Sequence, residues 1–154
     1  MLKKLRPWFV TFVLITVLVM GADLKEKTGT TLLSSIASWD SQGAGGTETN
    51  LYTVPIGKTC IVTHVVIRTA SASMATSVVT LGTAGGTCDE FRGDTTLTNV
   101  DGTTKYAVIY QDANTRNTPD GGVLVAAGSI FAIEVTTADA DGGTATIDVF
   151  GYLF

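Results

Sequence analysis

From Leu51 onward, apolar and polar residues alternate in short runs, with Gly, Pro and Asp punctuating the gaps. The runs span 50–54, 58–69, 76–82, 95–99, 104–111, 122–127, 129–137 and 144–153. They are rich in Val, Ile, Thr, Tyr and Phe, side chains that suit a pleated, half-buried surface. The gaps read "PIGK", "TAGGT", "VDGT", "TPDGG", "AAGS" and "ADADGG", where Gly and Asp/Asn tolerate positive φ and Pro fixes it. No helical period survives here, so the pattern predicts an all-β domain of about eight strands. The stretches 83–94 and 112–121 are long enough to cross between sheets. A Greek-key jelly-roll sandwich is therefore expected, with an immunoglobulin-like sandwich as the alternative. "TCIVTHVVIRT" is apolar on both faces: Cys60, Val62 and Val66 alternate with Ile61, Val65 and Ile67. That predicts a central strand covered on both sides.

The end of the chain, Ser129–Phe154, reads as a hairpin about an Asp-Gly turn. In its second arm Ala145, Ile147, Val149 and Leu153 fall on one side, and Phe150, Tyr152 and Phe154 on the other. A bulge at Gly151 would flip the parity and turn some rings inward. Without one, three rings stand outside the sheet, each able to bury on the order of 150–250 Å². Soluble monomers seldom leave such a patch bare. It could be covered by the same surface of a second subunit, or by the segment carrying Leu32, Leu33, Ile36 and Trp39. These seven residues form the expected interface of a homo-oligomer. The spacing of Leu32, Leu33, Ile36 and Trp39 suits a short amphipathic helix or an extended segment equally.

Residues 1–22 stand apart. Lys3, Lys4 and Arg6 precede "WFVTFVLITVLVMGA", fifteen residues without a charge. As a helix that run is roughly 22 Å long, short of a bilayer core of roughly 30 Å. A signal peptide cleaved after Ala22 is expected; if it is retained, membrane contact would come only through residues 8–22. Residues 23–49 then read as a polar linker or assembly segment, and 50–154 as the sandwich. Cleavage would remove three of ten basic residues and none of the fourteen acidic ones, leaving seven against fourteen, or −7. That balance, with no Lys/Arg cluster after Lys27, excludes nucleic acid as a partner.

Catalytic chemistry finds little support. His64 is the only histidine, so any His-dependent triad would run through it. It is expected to be half-buried, on the face of Cys60 and Val62. "PIGKT" lacks the first glycine of a phosphate loop. Glu134 has no marked partner acid for glycoside hydrolysis. "FRGDT" (Arg92, Gly93, Asp94) reads as a polar loop, although integrins recognise that tripeptide. Cys60 and Cys88 would add roughly 3–4 kcal/mol if bonded in an oxidising compartment, or else remain separate thiols. Asp139 and Asp141 offer oxygens to calcium, and Asp112 and Asp120 could complete the set only if the fold brings them near. No other cofactor is indicated.

Three stretches, "YTVPIGKTCIVTHVVIR", "AAGSIFAIEV" and "TIDVFGYLF", resemble the jelly-roll domains of virion and tail-fibre proteins over Leu51–Phe154. "VFGYLF" is also similar to the closing strand of tumour-necrosis-factor-like and C1q-like trimers. The resemblance lies in strand rhythm and implies an assembling, often trimeric, sandwich. The expected function is a secreted or virion-surface structural protein, not an enzyme, that self-assembles as an oligomer, fibre or filament subunit. The alternative is an extracellular carbohydrate- or surface-binding module, calcium-assisted, with Trp39, Tyr52, Tyr106, Tyr110 and Tyr152 available to stack on sugars.

Overall fold

The computed structural model describes residues 29–42, 45–112 and 123–154. The predicted signal segment 1–22 and Asp120 lie outside them. Nine strands follow in order: β1 (Thr31–Asp40), β2 (Thr47–Thr53), β3 (Cys60–Arg68), β4 (Val78–Thr83), β5 (Arg92–Thr96), β6 (Ala107–Tyr110), β7 (Val123–Val125), β8 (Ile130–Thr137) and β9 (Thr144–Leu153). The first sheet runs β1-β9-β3-β6, with β7 also on β3, and the second runs β2-β8-β4-β5. Every pairing is antiparallel. First pairs with last, second with second-last, and so inward to β4 and β5: a jelly roll. β6 and β7 lie end to end along β3, pairing with His64–Ile67 and Cys60–Val62 respectively.

The core lies between the sheets. Phe91 and Phe131 meet edge-to-face there at 5.5 Å, among Val62, Val65, Ile67, Met74, Leu81, Ile133, Ile147 and Val149. Burying a side chain of this kind is worth about 1.5–3 kcal/mol, so alternation along each strand decides which face turns inward.

Four expectations change. First, residues 31–40 form β1 of the sandwich, so of the two forms allowed for Leu32–Trp39 the extended one is found, and this part of 23–49 is not linker. Second, the final two runs do not form a hairpin, because β8 lies in the second sheet and β9 in the first. The turn between them is an arch held by Asp139, which accepts hydrogen bonds from the Thr76 N–H (3.1 Å), the Thr76 hydroxyl (2.8 Å) and the Asp141 N–H (3.0 Å). Third, 83–94 joins two neighbours within one sheet, and β6 and β7, the strands on either side of residues 113–122, both pair with β3, so neither position marks a change of sheet. The crossings are made elsewhere, by the short β1–β2 and β7–β8 connections among others.

The fourth change is parity in β3. Val62 opposes Gly151 and His64 opposes Phe150, so Thr63 is an extra residue. The bulge turns Cys60, Val62, Val65 and Ile67 inward together and sends His64 to the outer face, away from Cys60. One strand thus reads as apolar on both sides although only one side faces the core. Gly151 itself keeps β9 regular. The register shifts fall on its neighbours, at Thr63 and at Leu33.

Cys60 and Cys88 are free, buried thiols. Cys60 belongs to the core between the sheets. Cys88 is packed instead against Ala132, to whose carbonyl its Sγ donates at 3.4 Å. Ala132 alternates with the core-facing Phe131 and Ile133, which sets it and Cys88 on the far side of the second sheet. The sheet separates the two sulfurs, so the disulfide alternative gives way to two thiols. Burial pushes Cys60 up to about 11. Burial first, then the charges of Glu48 and Glu134, push Cys88 up to about 12.

Candidate functional site

The outer face of the first sheet is assembled by register. Leu32 on β1 opposes Phe150 on β9, Phe150 opposes His64 on β3, and His64 opposes Tyr110 on β6. One row of four large side chains therefore crosses the whole sheet. Towards the Thr59 end a second row runs Tyr152, Ile61, Leu124. Phe154 lies beside it, two residues beyond Tyr152 and joined to Thr59 by reciprocal backbone hydrogen bonds. Leu32 is 54% exposed, Tyr110 63%, Leu124 66% and Phe154 56%. Phe150, His64, Ile61 and Tyr152 are half-buried by their neighbours in the same rows.

The rings contact one another. His64 stacks on Phe150 with centroids 4.7 Å apart and planes 5° from parallel, and tilts against Tyr110 at 5.8 Å. Tyr152 and Phe154 meet at 6.5 Å, and the Thr30 hydroxyl donates to the Tyr152 oxygen at 3.1 Å. Burial lowers the His64 pKa below the ordinary imidazole value.

At the other end the face turns polar. Asp148 is nearly enclosed; it accepts from Arg68 Nε and from the Ser35 hydroxyl, each at 2.5 Å. Burial works to raise its pKa, but the Arg68 and Ser35 hydrogen bonds and the guanidinium charge outweigh it and hold the carboxyl below its ordinary value. The apolar rows are thus bounded by a closed ion pair.

The other predicted site residues fall elsewhere. Leu33 and Ile36 pack against the core and Trp39 lies within it, 3% exposed. They are spent inside their own sandwich, because each faces inward where β1 lies on β9. Of that segment only Leu32 stands on the outer face. Asp139 gives its oxygens to Thr76 and Asp141, Asp112 lies 3.8 Å from Arg92, and no group of three metal-ligating side chains occurs among the described residues. Arg92, Gly93 and Asp94 lie in β5, a strand and not a loop. Ile61, His64, Tyr110 and Leu124 were not expected on this face. Their only sequence signal was membership of β-rich runs, which does not say which strands become neighbours.

No protein family matches this chain in sequence, and no curated protein does. Among solved structures, the fold is similar to a chain in the capsid of Ralstonia phage GP4, with a TM-score of 0.53 and 14% identity, covering 80% of this chain and 81% of that one. Lower scores relate it to the Cyanophage Pam1 capsid asymmetric unit (0.44; 15% identity; 80% and 84% covered). They also relate it to the acidic stable capsid of Helicobacter pylori bacteriophage KHP30 (0.46; 17% identity; 80% and 91% covered). At such identities the likeness is one of fold.

Proposed function

We propose that this chain is a structural subunit of a virion, and that it associates with copies of itself through the outer face of its first sheet. The fold shared with a phage capsid chain supports the setting. The observation that carries the reading is the pair of apolar rows, Leu32–Phe150–His64–Tyr110 and Tyr152–Ile61–Leu124, with Phe154 beside them. Strand pairing fixes the backbone that carries these side chains, so little backbone entropy remains to be lost when a second surface covers them. A symmetric contact would set each row against its equivalent, ring against ring. Its mechanism is burial, and no reaction is assigned. Location on a virion surface, export through residues 1–22, and a fibre or filament form are finer versions of the same proposal.

Light scattering on the purified chain at micromolar concentration tests it. A mass of several subunits is expected, falling to one subunit in a Phe150→Ser/Tyr110→Ser variant that keeps its melting temperature. A wild-type monomer would remove the reading. Electron microscopy of the same sample distinguishes rings and trimers from tubes or filaments.

A second reading, the glycan-binding module, rests on a cleft of about 290 Å³ between the edge strands β5 and β6. Arg92, Thr95, Thr96, Asn99 and Tyr110 line it, polar groups beside a ring of the kind that stacks on sugars. Binding on a glycan array, lost in Asn99→Ala, would favour that reading.

A further inference from the structure

The central row has one member whose ordinary pKa lies between pH 5 and 8, and it sits in the middle. His64 is flanked by the Phe150 ring at 4.7 Å and the Tyr110 ring at 5.8 Å. Its Nδ1 is 3.1 Å from the Thr63 hydroxyl, and that hydroxyl donates to the Phe150 carbonyl at 3.2 Å. A hydroxyl has one proton to give. With that proton on Phe150, Thr63 can only accept from Nδ1–H, which leaves Nε2 as the ring's basic atom.

Among the described residues, the charged groups on the strands around this row are paired with other groups or lie at its far ends. On β9, Asp148 is closed by Arg68 of β3 and by Ser35 of β1, and the Tyr152 oxygen accepts from Thr30. Next to β6, Lys105 lies 3.7 Å from Asp101 and Asp112 lies 3.8 Å from Arg92. β7 carries no titratable side chain. On β1, Asp40 is at the far end, bonded to the Gln42 N–H. Among the described residues no carboxylate forms an ion pair with His64. A proton added at Nε2 would therefore create a charge between two rings, with no counter-charge once a second surface excludes water.

Resting on the assembly reading above, we propose that His64 makes self-association acid-sensitive: the face closes with a neutral imidazole, and protonation at Nε2 opens it. The lowered pKa in the single subunit has the same sign, since burial already disfavours the imidazolium. Closing the face deepens that burial. The separated subunit then binds a proton that the associated one excludes, so the association constant falls as pH falls. The slope approaches tenfold per pH unit for each subunit in the contact. Because the subunit's own value lies below the ordinary imidazole one, the ordinary value sets a ceiling: about thirtyfold per subunit between pH 8 and pH 5.

Sedimentation velocity between pH 8 and pH 5 tests this, using wild type, His64→Phe and His64→Gln. The phenylalanine keeps a stacking ring without a proton, and the glutamine is neutral and polar, so one remains informative should the other fail to fold. Wild type is expected to lose association on acidification, while the folded variants keep the pH 8 level of their own association at pH 5. Equal wild-type association at both values overturns the acid switch and leaves the assembly reading standing. Variants that dissociate in parallel with wild type also overturn it and place the titrating group outside His64. A wild-type monomer at pH 8 overturns the assembly reading and the switch together.

Discussion

Gly151 has the smallest side chain on β9 and almost no room around it. A Cβ built there would lie 2.2 Å from the Ile61 carbonyl oxygen and 2.8 Å from Leu33 Cδ1. The first is backbone and cannot swing aside, so the position excludes every other residue for steric reasons, without any special φ. Gly151→Ala is expected to lower the urea midpoint by the equivalent of about 3 kcal/mol, as overpacking of a rigid site does. A loss under about 0.5 kcal/mol, the range of an ordinary surface change, would show that β3 can retreat. In the sequence the glycine was legible as a special position, but its meaning was not. It marks the place where both neighbouring strands bulge around β9, while β9 runs straight.

At the scale of elements, β1 shows why a strand can resemble a helix on paper. Its inward side chains Leu33, Ile36 and Trp39 recur every third residue. An extra residue lies between Leu32 and Ser34, and another between Ile36 and Trp39, relative to the partner positions on β9. Ser38, within the second bulge, takes φ 59°. Each bulge lengthens the period of two by one residue, and the result imitates one face of a helix. Trp39→Ala is expected to cost about 3–5 kcal/mol in chemical denaturation, from lost packing alone, since Nε1 has no hydrogen-bond partner. Leu32→Ser, seven positions earlier, should leave that midpoint unchanged and weaken association instead. If both variants behaved alike, the division of β1 into an inner and an outer face would be wrong.

The whole molecule is two-sided. The first sheet turns apolar rows outward. On the second, Glu48 and Glu134 stand opposite each other in register, Asp94 accepts from the Thr136 hydroxyl, and the loop carrying Cys88 covers Ala132. Two like charges facing across a strand pair disfavour the approach of a second such face, so association should be confined to one side. Phe154→Ser is accordingly expected to reduce the scattering mass and Glu134→Gln to leave it unaltered. The reverse result would move the contact to the second sheet.

Alternation, β-branched content and turn residues act over a few neighbours, so the sequence by itself determined an all-β domain, its approximate strand positions from Leu51 onward, and the outward parity of Phe150 and Tyr152. Whether β8 and β9 make a hairpin or an arch, whether Thr63 is paired or surplus, and which side chains complete the row through Phe150 depend on partners tens of residues away. Only the tertiary structure decided those points. A strand's hydrogen bonds do not identify their mate, and a single bulge reverses every side chain beyond it.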